Sequence, residues 1–78
     1  MYPTHIDNAR AATGIGAALV ELSTKVGMSD NYRFEIRPVG DHPKRELFYK
    51  VEAISLVDAD MAGYVHIDGH SGMVLERG

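Results

Sequence analysis

The segment from Gly63 to Glu76, with the sequence GYVHIDGHSGMVLE, has the pattern of a β-hairpin. Residues that favour strands alternate with polar residues as far as Asp68, a Gly-His-Ser-Gly cluster then breaks the alternation, and an apolar run begins at Met73. The pattern predicts a strand, a tight turn and a second strand. We expect the preceding part of the chain to cover this hairpin.

The alternation also predicts which side chains of the hairpin belong to the core. Val65 and Ile67 should point inward, and Val74 is the best core candidate in the second strand. In the turn, Asp68 can accept hydrogen bonds from N–H groups two or three residues further on, and Gly72 can adopt a positive φ. We therefore interpret Asp68 as a structural residue.

A helix is predicted before the sheet. The run Thr4-His5-Ile6-Asp7 has the spacing of a capping box, and Asp7 is an alternative cap, so the helix should begin near Thr4. It should extend for about twenty residues and end at a left-handed Gly27. Gly14 and Gly16 would allow another backbone to approach, which we interpret as packing on the sheet, with a second subunit as the alternative. The apolar stripe of this helix consists of Ala11, Ala12, Ile15, Ala18, Leu19, Leu22 and Val26.

Two more strands follow the helix. Apolar residues alternate with charged ones from Tyr32 to Ile36, and Pro38 either ends this strand or confines it to an edge, because proline cannot donate to a ladder. The parity of apolar residues shifts near Ala53 to Ser55 within a long run, which predicts a bulge or a bend. The fold class is therefore predicted to be α+β, with one N-terminal helix packed on a three- to four-stranded antiparallel meander.

Length and composition exclude several classes of protein. The 78 residues are expected to form a single domain, and 45% hydrophobic and 24% charged residues are ordinary values for a globular chain. The chain has no cysteine, so disulfides and thiolate metal sites are excluded. A net charge of -3 with scattered Lys and Arg gives no basic stripe, so no nucleic-acid partner is expected. The chain shows neither a leader pattern nor a membrane-length apolar run, which predicts a cytoplasmic protein without membrane contact.

Two stretches resemble the PepSY domain family. Leu47–Glu52 is similar to the family's central strand with its aromatic-x-Val core pair, and Gly63–Glu76 is similar to its closing hairpin, whose pattern is aromatic, Val, x, Val/Ile, Asp, two residues, Thr/Ser, Gly, x, Val. With the Ala-rich helix, the resemblance covers the chain from Asn8 to Glu76. It implies a helix-on-sheet fold similar to half a cystatin-like fold. It also implies a role in inhibiting or chaperoning peptidases.

These observations predict a non-catalytic protein-binding module, in its most specific form a peptidase inhibitor or modulator. The module would act through an exposed edge at 31–38 or through the polar loop at 39–45. The candidate partner-binding residues are Tyr32, Phe34, Arg37, His42, Lys44, Arg45, Phe48 and Tyr64.

The alternative prediction is a homodimeric structural or accessory protein. The contact would be made by the glycine-bearing helix or by an apolar face of the sheet on the side away from the helix. The residues expected on that face are Phe48, Ile54, Leu56 and Tyr64.

Patterns for catalysis and for metal binding are weaker. His66, Asp68 and His70 stand two apart and would share one face of an extended strand, but His70 belongs to the turn, so no metal or cofactor is predicted. Asp58 and Asp60 lie in a turn, and no serine has the surroundings of an activated nucleophile, so no catalytic residue is predicted. A spatial combination of those aspartates with His66 stays open, as does a small-ligand carrier that no residue selects.

Overall fold

One helix, α1 (Ala9–Lys25), lies across one face of a four-stranded antiparallel sheet. The protein is seen here in a computed structural model that describes residue 6 and residues 8–27, 30–40 and 47–78. The predicted α+β meander is confirmed, and the strands neighbour one another in chain order. Their bounds are β1 (Tyr32–Val39), β2 (Phe48–Ser55), β3 (Met61–Asp68) and β4 (Val74–Arg77).

The helix begins later than the sequence predicted. Ile6 is not helical, and Asn8 is the N-cap, with its side-chain oxygen accepting a 2.9 Å hydrogen bond from the Arg10 N–H. The Asn8 amide also donates to the carbonyl of His70 at 2.7 Å, which ties the helix start to the β3–β4 turn. The predicted start near Thr4 is therefore wrong, because asparagine is as good a cap as serine or threonine and this one has a tertiary partner. Thr4, His5 and Asp7 lie outside the described residues.

The core lies between α1 and the two central strands. The helix residues at three- and four-residue steps are buried as predicted: Ala11, Ile15, Ala18 and Leu22. The sheet residues packed with them are Tyr49, Val51, Ala53, Val65 and Ile67. Burial of a large aliphatic side chain contributes about 1.5–3 kcal/mol relative to exposure, so this cluster is a large favourable contribution to folding. The predicted inward orientation of Val65 and Ile67 is confirmed.

Gly14 lets the helix backbone approach the β3–β4 turn. A Cβ atom added at Gly14 would overlap the carbonyl group of Gly72 and lie 2.9 Å from Cγ2 of Ile67. Gly72 itself has φ +75°, and a Cβ atom there would overlap the carbonyl of Arg10. Packing of Gly14 on the sheet side is thus confirmed. Gly16, by contrast, faces open space.

β4 pairs with β3 through a bulge and contributes no fully buried side chain. The pairing of β3 with β4 shifts register between His66 and Ile67. Beyond this shift Leu75 is half-buried, whereas Val74 is 42% exposed. The prediction of Val74 as a core residue is therefore wrong. Val74 lies opposite Ile67 and shares its face, but α1 packs on β2 and β3, so the side chain of Val74 stays exposed at the margin of the sheet.

Charged groups fasten the end of β4 to one flank of α1. The Arg77 guanidinium donates to both carboxylate oxygens of Glu21, at 3.1 and 3.2 Å. The Lys25 ammonium donates to the carbonyl of Gly78 at 2.8 Å. These pairs are exposed and each contributes at most about 1 kcal/mol, but they show which flank of the helix faces β4.

The bulge predicted between Ala53 and Ser55 is present. The pairing of β2 with β3 shifts between Ala53 and Ile54. The chain then turns through Leu56 and Val57, which are both exposed. Ile54 still pairs with Met61 beyond the bulge, but Leu56 and Val57, which follow β2, do not join the core.

Candidate functional site

β1 forms one edge of the described sheet. The hydrogen bond from the Leu56 N–H to the Asn31 carbonyl, at 2.7 Å, fixes which residues of this strand bond to β2. In the observed register, every second residue directs its backbone N–H and C=O groups toward β2. These residues are Arg33, Glu35, Arg37 and Val39. The residues whose backbone groups point outward from the sheet are Tyr32, Phe34, Ile36 and Pro38.

Pro38 occupies a position that suits an edge strand. It lies opposite Tyr49, a residue whose own backbone groups are directed toward β3. The missing N–H of Pro38 would therefore have pointed outward, and the ladder loses no hydrogen bond. The strand continues to Val39, so of the two predicted alternatives Pro38 does not end the strand, and its position in an edge strand is confirmed.

The face of β1 on the helix side is apolar and incompletely covered. Tyr32, Phe34 and Ile36 share this face with Val51 and Ala53, which lie opposite them or one step along. The helix packs on β2 and β3, so β1 extends beyond it. As a result Phe34 is 37% exposed, and Tyr32 and Ile36 are only half-buried.

The helix contributes a second apolar wall to this region. Because Glu21 and Lys25 hold the opposite flank of α1 against β4, the flank that carries Leu19 and Val26 faces β1. Both residues are partly buried at the margin of the core. We call the surface formed by Tyr32, Phe34, Ile36, Leu19 and Val26 the β1 shelf.

The opposite face of β1 is charged. Arg33 and Glu35 form an ion pair with 2.9 Å between Nη2 and Oε2. Arg37 reaches across to Glu52 on β2 at 2.6 Å. Positive, negative and positive side chains thus alternate along one face, while the β1 shelf occupies the other.

Phe48 and Tyr64 lie on the sheet face away from the helix and do not join the β1 shelf. Phe48 is only 3% exposed, and the ring of His66 packs between it and Tyr64 with centroid distances of 5.2 and 4.8 Å. Phe48 is thus already withdrawn from solvent within one chain, and Tyr64 and Ile54 are half-buried, whereas Leu56, in the turn after β2, is 54% exposed. Contact of this face with a second subunit stays a prediction.

The His66, Asp68 and His70 side chains have separate surroundings. Nδ1 of His66 lies 3.3 Å from Oε2 of Glu76 on β4. Oδ2 of Asp68 accepts hydrogen bonds from the N–H of Ser71 at 2.9 Å and from its hydroxyl at 2.6 Å, which confirms the predicted structural role in the turn. His70 is exposed. Within the described part of the chain, no three His, Cys, Asp or Glu side chains converge on a point that a metal ion could occupy.

Asp58 caps the β2–β3 turn, and its protonation should be measurable. Its Oδ1 accepts a hydrogen bond from the Asp60 N–H at 3.1 Å, and this bond, followed by one from Ser55, holds the pKa of Asp58 below its usual value of 3.8. A depressed folded-state pKa gives stability that is present above the unfolded pKa and is lost as the pH falls through the folded one. Carboxyl titration by NMR should place the pKa of Asp58 below 3.8, and Ser55→Ala should raise it. A titration at or above that value would contradict this assignment.

The structure separates the predicted partner-binding residues into distinct regions. Tyr32 and Phe34 meet on the β1 shelf, Arg37 lies on the charged face of the same strand, and Phe48 and Tyr64 belong to the ring cluster around His66. The predicted residues His42, Lys44 and Arg45 lie outside the described residues. Sequence reasoning did not assign Leu19 and Val26 to a site, although their offset from the centre of the helical stripe indicates a flank position.

No family model, curated protein or solved structure matches this chain. The helix in the described ranges is too short or too polar to cross a bilayer.

Proposed function

We propose that this protein is a non-catalytic protein-binding module that accepts an extended segment of its partner along the edge of β1. The observation that supports this most directly is the outward direction of the Tyr32 and Phe34 backbone groups beside the apolar β1 shelf. In strand addition, main-chain hydrogen bonds supply affinity, and the side chains on alternate positions supply specificity. β1 offers both elements over one continuous strand.

The two faces of β1 define the chemistry of the segment that would bind. A strand added at this edge places every second side chain over the β1 shelf and the others beside Arg33, Glu35 and Arg37. The bound segment should therefore alternate apolar residues with charged ones. Acidic residues would face Arg33 and Arg37, and a basic residue would face Glu35.

The resemblance to PepSY domains supports peptidases as the first class of partner to test. A module of this kind would act by occupying an extended segment of the enzyme, without supplying a catalytic group of its own. Slower hydrolysis of a peptide substrate by an endopeptidase in the presence of this protein would support the narrower proposal. Binding without any effect on hydrolysis would restrict the protein to the broader class.

Phe34→Pro tests the edge without removing a bond from the sheet. The N–H of Phe34 points outward, so proline deletes an outward donor and the Phe34 side chain, as Pro38 shows this strand tolerates. The probe is a displayed library of eight-residue peptides that alternate apolar and charged residues, selected on the immobilised wild-type chain. Selected peptides should bind Phe34→Pro at least about tenfold more weakly, since a lost main-chain bond and a lost aromatic contact together exceed about 1.4 kcal/mol.

Arg33→Pro is the matched control, because the N–H of Arg33 points toward β2. This substitution should lower the thermal midpoint of unfolding, whereas Phe34→Pro should leave the circular dichroism spectrum close to that of the wild type. Peptides that bind Phe34→Pro as tightly as the wild type would place the binding surface elsewhere. Selection of no peptide by a chain that sedimentation shows to be monomeric would also count against the proposal.

A further inference from the structure

We propose that a second copy of this chain occupies the β1 edge, paired antiparallel with the first about a two-fold axis at Phe34. The inference rests on the proposed use of β1 for binding and names the occupant. In this arrangement the two sheets join into one continuous antiparallel sheet, with both helices on the same side. The interface is isologous, so each copy presents the same residues to the other.

The charged face of β1 is complementary to itself in this register. With Phe34 opposite the partner's Phe34, Arg33 lies opposite the partner's Glu35, and Glu35 lies opposite the partner's Arg33. Side chains at directly opposed positions of antiparallel strands are close enough to interact. The ion pair already present between Arg33 and Glu35 in one chain would become part of a ring of four alternating charges.

In the same register, the apolar face of β1 becomes more buried. Phe34, at 37% exposure the most open aromatic residue of β1, would pack beside the partner's Phe34 over the two shelves. Tyr32 would lie on the same face as the partner's Ile36. The helix does not obstruct this contact, because α1 packs on β2 and β3.

Neighbouring registers are less favourable. An axis at Glu35 would place Glu35 against its own copy and Arg33 against the partner's Arg37, while an axis at Arg33 would place Arg33 against its own copy. Like charges directly opposite destabilise a strand pair. An axis at Ile36 pairs Glu35 with the partner's Arg37, but it sets Pro38 opposite the partner's Phe34, where proline cannot donate. The axis at Phe34 combines opposite charges with donors on both sides.

Two single charge reversals test both the dimer and its register. Arg33→Glu alone would oppose acidic residues across the axis, and Glu35→Arg alone would oppose basic ones. Each variant by itself should dissociate at least about tenfold more readily than the wild type in sedimentation velocity. An equimolar mixture should form a heterodimer with an affinity within about threefold of the wild-type value, because every opposed pair then has opposite charges.

Arg10→Glu on α1 is the control, since it reverses the same charge at an exposed position away from β1 and should leave association unchanged. Circular dichroism checks that each variant is folded. If either single variant fails to fold, the double variant Arg33→Glu/Glu35→Arg restores both the intrachain and the cross-axis pairs, and it should dimerise like the wild type.

Three results would overturn this inference: a wild-type chain that stays monomeric at high concentration, a dimer that both reversals leave intact, or a mixture that does not associate. Different results would contradict the proposed function of β1 in binding extended segments. A monomer that still binds alternating peptides through Phe34 would retain the binding function and lose only the second copy as occupant. Peptide binding unaffected by Phe34→Pro would remove the function whatever the state of association.

Discussion

Gly14→Ala is expected to destabilise the protein by about 2 kcal/mol or more, although alanine is the better helix former. The added methyl group would overlap the Gly72 carbonyl and press on Ile67, both of which belong to the packed end of the β3–β4 hairpin. Backbone atoms cannot rotate aside as a flexible side chain can, so either the helix or the turn must move. For a domain of this size the loss corresponds to a fall of roughly 10 °C in the midpoint of thermal unfolding.

Gly16→Ala is the matched comparison and should have the opposite sign. No atom lies within 4 Å of a Cβ built at Gly16, so the substitution gains helix propensity and restricts the unfolded chain. A gain of about 0.5–1 kcal/mol is expected. Urea unfolding followed by circular dichroism at 222 nm measures both variants. Two changes of the same sign would contradict the close approach of Gly14 to the turn.

Leu22→Ala should cost about 3–5 kcal/mol, which is a large part of the stability of a small domain. Leu22 is 1% exposed and is the largest fully buried side chain of α1, so its truncation leaves a cavity above β3. Val20 lies on the solvent side of the same helix with 67% exposure. Val20→Ala should therefore change the free energy of unfolding by less than about 0.5 kcal/mol, and an equal effect at both positions would contradict the packing described.

A substitution at Gly63 tests the contact between Leu22 of α1 and β3 directly. A Cβ atom at Gly63 would lie 3.2 Å from Cδ2 of Leu22, so Gly63→Ala should be destabilising when Leu22 is present. In the Leu22→Ala background that atom is gone, and the new methyl group would enter part of the cavity. The double variant should be more stable than the sum of the single changes predicts, by about 0.5–1 kcal/mol or more. Strict additivity would show that the two residues are not in contact.

Local periodicity was sufficient to predict the elements of this fold. The three- and four-residue steps from Ala11 to Leu22 and the alternation of Val65 with Ile67 each report which side of an element is buried, and both are confirmed. Features set by tertiary contacts were not predictable in the same way. The helix begins after the N-cap Asn8, whose side chain donates to the carbonyl of His70, a residue that is distant in sequence.

The wrong assignment of Val74 also has its origin in tertiary contacts. Val74 was assigned to the core in error, because it shares the face of Ile67 but lies beyond the strands on which α1 packs, and nothing from Met73 onward indicates this. The register between β1 and β2 is also a tertiary property, and it places Phe34 and Phe48 on opposite faces of the sheet. Pro38 was enough to predict an edge strand from the sequence as one of two alternatives. The exposure of the apolar face of β1, however, depends on the strands on which α1 packs.

Pro38 and the short β4 also bear on whether this sheet can grow without limit. A chain with two long, flat, apolar edges can add copies indefinitely and form fibres. Here the outward donors of β1 stop before Pro38, and the opposite edge has only four residues, of which Glu76 and Arg77 are charged and exposed. A strand added at β1 should therefore not be followed by further copies. The edge of β1 can be exposed for binding with little risk of amyloid-like polymerisation.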